Sequence, residues 1–526
     1  MQSVSNTFVE KATGPVRGMQ WRVLMSILKN FDDNITFFTI GESTIGGDDI
    51  IAGDNAVVQE WDKYDYADFT SRLKSMEYTR ESEAPTNALT MAMADIVLDN
   101  HDDIFTPENT SSPYYGYLKA QRPIKLFLGF HGAENIPVFV GITESRPQVD
   151  EKAKTVKLHC IDFLRSIYNI TLEEEIIYED MRTDEIISAL LQTAGLLTSQ
   201  FELDYGTTTI PFAYFKKDSK LGDALKKIAE SELGSLFMDE AGVIRFINRT
   251  NWNDHTLSFA HDTGTVIESD TLDEDKIINV VEITARPRAV QANQLLWESA
   301  SALEIPANST LEVFANFKDE YGDLPVTTVD EPDYITGAST SLFATNVEQD
   351  GSGETFSSDV TLTSFDQFST AYKMIFTNTA GVPVYLTQLE LWARPAKVTN
   401  DIFLRLQDDA SVGTNNEGFD ERVYKLDNDY IQDEGAANSI AQMILADRAG
   451  VEAVRNLLVK GMPHQQIGDL ISYRDRKVND TYFVTRINGI LNGSGFRQKI
   501  MIAQRTQQEY FRIGISTIGG DDPIGP

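Results

Sequence analysis

Thr155-Val156-Lys157-Leu158-His159-Cys160-Ile161-Asp162 sets apolar and polar side chains on alternate residues, the period of a strand with one face in a core. Upstream, Val138-Phe139-Val140-Gly141-Ile142-Thr143-Glu144 is rich in β-formers and is the expected partner across an intervening turn. Further out, residues 69–78, 92–100 and 122–130 repeat the pattern, separated by turn residues such as the Asp99-Asn100 pair. Short strands in such a series predict a small barrel or sandwich over 61–167. Near the other end, residues 404–408, 454–459, 467–473, 482–487 and 498–503 predict a second, with a helix from about 433 to 447. Residues 1–25 read as an extended arm anchored by Trp21.

Between the two blocks the period changes. Thr183 is a candidate cap for a helix whose apolar face is Ile186, Ile187, Leu190, Leu191 and Ala194, closed by Gly195. Ser219 stands in the same position before Leu221, Ala224, Leu225, Ile228 and Ala229, with Gly234 as the stop. A hairpin follows, 235–238 and 243–247 about an Asp239-Glu240-Ala241-Gly242 turn, making an α+β unit. From 299 to 393 only Lys318 and Lys373 are basic, and alternating strands predict a β-sandwich inserted into the surrounding fold. The predicted fold class is therefore mainly β with α+β parts. Its divisions are an arm and hairpin over 1–60, barrels over 61–167 and 396–510, the α+β unit with connecting strands over 168–298, the insert over 299–395, and a tail over 511–526.

A phrase used twice brackets this framework. Residues 40–51 read IGESTIGGDDII and residues 513–524 read IGISTIGGDDPI, ten of twelve positions identical. Gly-Gly-Asp-Asp is turn chemistry, since Gly supplies positive φ and Asp bonds its own backbone. Two convenient hairpin turns are one explanation. The matching isoleucines and Ser-Thr outside the turn favour another, two plugs for equivalent sockets. The candidate docking residues are Ile40, Gly41, Ser43, Thr44, Ile45, Gly46, Gly47, Asp48 and Asp49, with Ile513, Gly514, Ser516, Thr517, Ile518, Gly519, Gly520, Asp521 and Asp522. An adaptor whose symmetry is half that of its partner needs such a duplicated contact.

The chain has 526 residues, 80 acidic against 45 basic, and a net charge of −35. That balance argues against sequence-specific nucleic-acid binding, which needs a basic footprint. It suits either solubility or a surface that DNA passes without sticking. No apolar run approaches the ~18 residues of a membrane span. The lone Cys160 reads as a buried small hydrophobe.

No HExxH, paired CxxC, GxSxG or phosphate-cradling glycine loop is present. The histidines, His101, His131, His159, His255, His261 and His464, never fall at metal-ligand spacing and read as structural. Asp102-Asp103, Asp48-Asp49 and Asp521-Asp522 offer oxygen ligands for a cation such as Ca²⁺, although turn or solvated roles explain them as well. No catalytic residue, cofactor or metal is expected, and the chain reads as a non-enzyme. In the insert, Phe343, Phe356, Phe365, Tyr385 and Trp392 are candidates for stacking on a sugar, although Trp392, alternating with Leu391 and Glu390 at a strand end, reads first as core.

Taken in order, several stretches resemble phage tail-tip or baseplate hub proteins, the tail-associated minor tail proteins. Residues 71–78, 94–100 and 122–126 look like the opening of that family, and 139–144 followed by 156–162 is similar to its outward loop and return strand. Residues 461–463, 467–471 and 482–487 look like its closing barrel, and 376–378 with 384–389 resembles the β-sandwich inserts of long-tailed phage hubs. The resemblance covers most of the chain, in motifs that are individually short. It implies two hub-type β-barrels per subunit and a homotrimer whose barrels form a pseudo-sixfold ring. Its partners would be a tail tube or distal tail protein and the distal tip or fibre proteins. The implied place is the tail tip of the virion, after synthesis in the host cytoplasm, on the path of DNA ejection during host entry. The chain departs from some hubs in having no lysin or fibrous stalk. The alternative is a virion-borne or secreted carbohydrate-binding protein, acting on a host-surface glycan through residues 299–395.

Overall fold

The computed structural model describes residues 2–14, 18–26, 66–82, 88–173, 175–249, 259–262, 264–271, 277–318, 327–328, 344–353, 359–368, 371–398, 400–413, 419–449, 454–474 and 479–503. Where an extended arm is expected, α1 (Asn6–Thr13) forms. Ser5 caps it, Oγ accepting the Phe8 N–H at 3.2 Å, while Phe8 and Ala12 bury against Phe130 and Ile136. Two turns carry too few apolar residues for a helical period to stand out in the sequence.

The first strand block comprises β1 (Met19–Ser26), β2 (Tyr66–Asp68), β3 (Leu73–Glu81), β4 (Met93–Asp99), β5 (Pro123–Phe130), β6 (Asn135–Thr143), β7 (Gln148–Asp150) and β8 (Thr155–Ile161). β3 starts later than the pattern suggests because Thr70–Arg72 form a 3₁₀ turn, fixed by the Thr70 N–H donating to Asp68 at 2.9 Å. The strands run antiparallel in the order β3-β4-β8-β6-β5-β1-β2. β8 takes β4 along its whole length and meets its expected partner β6 only at Ile142↔Ile161 and Thr143↔Cys160. The reason is β7, which pairs with Thr155–Lys157 and displaces β6 from the start of β8. Gly141 allows the remaining approach, since a side-chain carbon there would strike the Ile161 carbonyl.

The middle of the chain supplies α2 (Leu164–Asn169), β9 (Ile176–Arg182), α3 (Thr183–Thr193), β10 (Phe201–Leu203), β11 (Thr209–Phe215), α4 (Leu221–Glu230), β12 (Ser235–Met238) and β13 (Ile244–Ile247). The apolar faces of α3 and α4 are those read from the sequence, and they share one core with α2. Their caps differ. Thr183 is already helical and its hydroxyl donates to Glu232 at 2.6 Å, while the Arg182 N–H is satisfied by Glu185 at 3.1 Å. Ser219 turns its hydroxyl back to the Lys216 carbonyl, and α4 starts at Leu221. Gly195, at φ +84°, closes α3 as expected.

Next come β14 (Phe259–His261), β15 (Val266–Thr271) and β16 (Val280–Ala285). Then follow β17 (Arg288–Val290), β18 (Gln294–Glu298), β19 (Leu303–Ile305), β20 (Ser309–Asn316), β21 (Thr327–Thr328), β22 (Ala344–Asn346), β23 (Val360–Phe368), β24 (Ala371–Asn378), β25 (Val384–Gln388), β26 (Glu390–Ala393) and β27 (Pro395–Val398). Among the described residues these eleven strands pair only with one another, in the sets β17-β27-β21, β18-β26, β19-β25-β22 and β20-β24-β23. They enclose a core of their own around Tyr372, Met374, Phe376, Leu386 and Leu391. The chain leaves β16 at Ala285 and returns opposite it at Ile402 of β28 (Ile402–Gln407). β29 (Val423–Asn428) flanks β16 on the other side, and α5 (Glu434–Arg448) covers the sheet with Ala437, Ile440, Ala441 and Ile444.

The last strands are β30 (Val454–Lys460), β31 (Leu470–Arg474), β32 (Asn479–Asn492) and β33 (Gly495–Ala503). β32, with 14 residues, is long enough to serve two half-sheets. Its beginning pairs with β31, which carries β14; its later part lies between β33 and β3. β33 continues into β30 and β15. Two separate barrels are expected; instead both blocks belong to one 14-stranded sheet, and none of the described sheets closes on itself. β15 and β14 meet through the Asp262–Thr265 turn, where a barrel would need a ladder. Because β32 is common to both halves, their apolar faces merge into one core reaching from Val23 to Ile502.

Candidate interaction surfaces

The two docking phrases, Ile40 to Asp49 and Ile513 to Asp522, lie outside the described residues. Their points of departure are described. The first phrase falls in the connection between β1 and β2, which are joined at Ser26↔Tyr66. The second follows β33, whose last residue Ala503 is held by Val454 and Phe483 on either side. Each half-sheet thus leads into one copy.

Beneath the junction of the half-sheets lies a buried polar cluster. Arg80 projects from β3 on the same row as Met76 and Tyr78, into the core. Its guanidinium meets the Glu240 carboxylate, from the β12–β13 turn, at 2.5 Å, and Glu240 also accepts from the Gln466 side chain. The Arg80 guanidinium further donates to the Gln465 carbonyl at 3.4 Å. Gln465 in turn faces His261 of β14, Nε2 to Nε2 at 3.2 Å. Burial holds the His261 imidazole down to about 4, against the pull of Asp262 and the Gln465 bond, so it is neutral in the folded chain at ordinary pH. His464 takes the Phe8 ring edge-on at 5.3 Å, and its carbonyl accepts the Gln2 N–H. One cluster therefore ties β3, the α+β unit, β14 and the N-terminal helix. Nothing in it has the geometry of a nucleophile with its base.

Asp102, Asp103, His101 and His159 are accounted for locally. Asp102 pairs with Arg72 at 2.7 Å and Asp103 with Lys154 at 3.3 Å, which removes them as a cation site. His101 bonds Asp99, and His159 bonds Asp95 at 2.5 Å. Lys74 and His101 draw the Asp99 carboxyl down to about 2. Among the described residues, no group of three or more His, Cys, Asp or Glu side chains could hold a metal ion. The Asp48-Asp49 and Asp521-Asp522 pairs are outside them. Cys160 is buried, and burial drives its thiol pKa upward, the opposite of an activated nucleophile. Among the described residues no helix is long and apolar enough to cross a membrane.

In the insert, Phe343 and Phe356 and the side chain of Phe365 fall outside the described residues. Trp392 is not core: Leu391 takes the inward place, while Trp392 is half-exposed and its Nε1–H donates to Glu390 at 3.0 Å. Tyr385 is half-exposed on a different sheet, β19-β25-β22. What sequence reasoning missed is the Arg80–Glu240 pair. The signal was there, since strand parity places Arg80 on the inward row.

No protein-family model and no curated protein sequence matches the chain. Solved structures similar to it include three tail proteins. The prophage MuSo2 43 kDa tail protein from Shewanella oneidensis superposes with a TM-score of 0.43 at 10% identity, over 84% of this chain and 95% of that one. The tail protein from Neisseria meningitidis MC58 gives 0.46 at 9%, over 84% and 94%. The prophage tail protein gp18 from Listeria monocytogenes EGD-e gives 0.39 at 6%, over 85% and 92%.

Proposed function

We propose that this protein is a structural virion component: a homotrimeric tail-tip hub, without catalytic activity, that joins the hexameric tail tube to distal tip proteins and forms part of the DNA ejection channel. The observation that carries the reading is the pairing of two half-sheets on β32 with two copies of one phrase, one copy leading from each half. A chain with two half-sheets, each leading into one copy of the same plug, offers six like contacts when three copies assemble, matching a sixfold partner. The charge balance fits the same role, because a net −35 on the chain repels DNA rather than retaining it. The insert, with its own core and sheets, leaves the hub framework continuous through β16 and β28.

The test is direct. Full-length protein is mixed with isolated tail tubes and viewed by negative-stain electron microscopy. Threefold particles that cap one end of the tube are expected. A protein that leaves the tubes bare, and whose own class averages show no threefold feature, overturns the proposal.

A further inference from the structure

Like charges directly opposite on neighbouring strands repel, and folded sheets ordinarily avoid or neutralise them. Among the described residues three ladder positions carry such pairs. Glu77 opposes Asp95 across β3 and β4, and there the fold supplies the remedy: Lys157 at 3.0 Å and His159 at 2.5 Å both bond Asp95, and Asn488 donates to Glu77 at 2.9 Å. The other two are left uncompensated. Lys460 of β30 opposes Arg497 of β33, with Lys499 two residues further along the same face; all three are exposed and have no ion-pair partner among the described residues. Glu298 of β18 opposes Glu390 of β26 in the insert. Glu390 is oriented by Gln388 at 2.9 Å and Trp392 at 3.0 Å, but no cation neutralises either carboxylate among the described residues.

We propose that these two pairs are complementary halves of one contact between copies of this chain, the Lys460/Arg497 face of one subunit seating the Glu298/Glu390 face of the next. The signs are opposite, each pair is repulsive alone, and each is relieved by the other. Both stand on solvent-facing sheet surfaces, so no rearrangement is needed to present them. Leu458 and Ile490, half-exposed beside Lys499 and Arg497 in the ladder, add an apolar floor on the basic side. The chain itself favours a protein partner over nucleic acid, because a net −35 opposes DNA while each neighbouring copy brings the required carboxylates. Unlike patches meeting head to tail make a heterologous contact, which closes into a ring when the rotation allows. The inference deepens the hub reading by naming the subunit contact within it.

The experiment compares four full-length chains by sedimentation velocity at low and high salt: wild type, Lys460→Glu with Arg497→Glu, Glu298→Lys with Glu390→Lys, and the chain carrying all four reversals. Wild type is expected to assemble, less tightly at high salt. Each two-site variant should assemble at least about tenfold more weakly, because its contact now sets like charges together. The four-site variant restores the opposition and should assemble as wild type does. Thermal melts confirm folding, and the milder Lys460→Gln with Arg497→Gln serves if a reversal does not fold. Four chains of equal mass, or a four-site variant as dissociated as its parents, overturn the contact while tube capping still decides the hub reading. A wild-type chain that is monomeric throughout overturns it too. So does loss of binding to a labelled DNA duplex in the Lys460/Arg497 variant without change in mass, which would assign the basic pair to nucleic acid.

Discussion

Two buried ionisable side chains pull the stability of this fold in opposite directions over one pH range. Asp162, just after β8, has no cation beside it among the described residues; its carboxylate accepts the Ala92 N–H at 2.5 Å and the Leu164 N–H at 3.1 Å. Burial outweighs those bonds and lifts its pKa to about 7. Its folded value lies above the unfolded one, so its contribution is complete below about 4 and is lost as pH rises toward 7. His261 is the reverse case: burial lowers it to about 4, so its contribution is complete above about 6.5 and is lost as pH falls toward 4. Wild type should therefore show a flattened pH dependence between the two limits. Asp162→Asn should make stability fall more steeply on acidification than in wild type, and His261→Gln should make it fall more steeply as pH rises. The size is on the order of 1–4 kcal/mol across the window, since a tenfold change in proton affinity is worth ~1.4 kcal/mol. Urea midpoints measured at pH 4, 5.5 and 7 check it; parallel curves for all three proteins would refute it.

At the scale of elements, the Arg80–Glu240 pair is the pin between β3 and the β12–β13 turn. Both side chains are nearly inaccessible to solvent, so removing one leaves a buried charge. Arg80→Ala is expected to cost roughly 3–5 kcal/mol, whereas replacing both with Met should cost clearly less, because no lone charge remains. Denaturant unfolding of the two variants measures the difference, and equal losses would show packing alone to be at work. The cap of α5 is a smaller matter: Asp433 accepts the Ala436 N–H at 2.8 Å, so Asp433→Ala should cost about 1 kcal/mol by the same assay. These elements also show what the sequence discloses. α5, α3, α4 and the 235–247 hairpin were legible because a helical period or a Gly-bearing turn is a local signal. β8 was legible as a strand, yet its partner was not, because three residues of β7 decided the pairing. Nor could alternation reveal that β32 would serve both blocks and join two expected barrels into one sheet. Arg80 sat on the inward row of β3 in plain view, but an arginine among apolar neighbours identifies its carboxylate only when the fold brings Glu240 to it. In the insert, strand parity alone could not choose between Leu391 and Trp392 for the inward place.

For the whole molecule the question is whether two halves act as equivalents. β1, β2 and β33 are each fixed by ladders up to Ser26, Tyr66 and Ala503, so changes beyond those residues leave the sheet its hydrogen bonds. Replacing residues 40–51 with a Gly-Ser stretch of equal length, or ending the chain after residue 510, should therefore leave the thermal melt within about 2 °C of wild type, since neither touches a described strand. Assembly onto the tube should suffer in both cases, and to a similar degree, if the phrases fill equivalent sockets. Six simultaneous contacts gain through effective concentration, so the loss of three should weaken capping by more than half, on the order of a hundredfold. A titration of labelled protein against isolated tubes reads this number for each variant and for the two changes combined. Equal losses, deepened in the combined variant, are the expected result. A large loss from one change with none from the other would mean that the phrases have different partners, and the sixfold matching would fall even with the chain still at the tail tip.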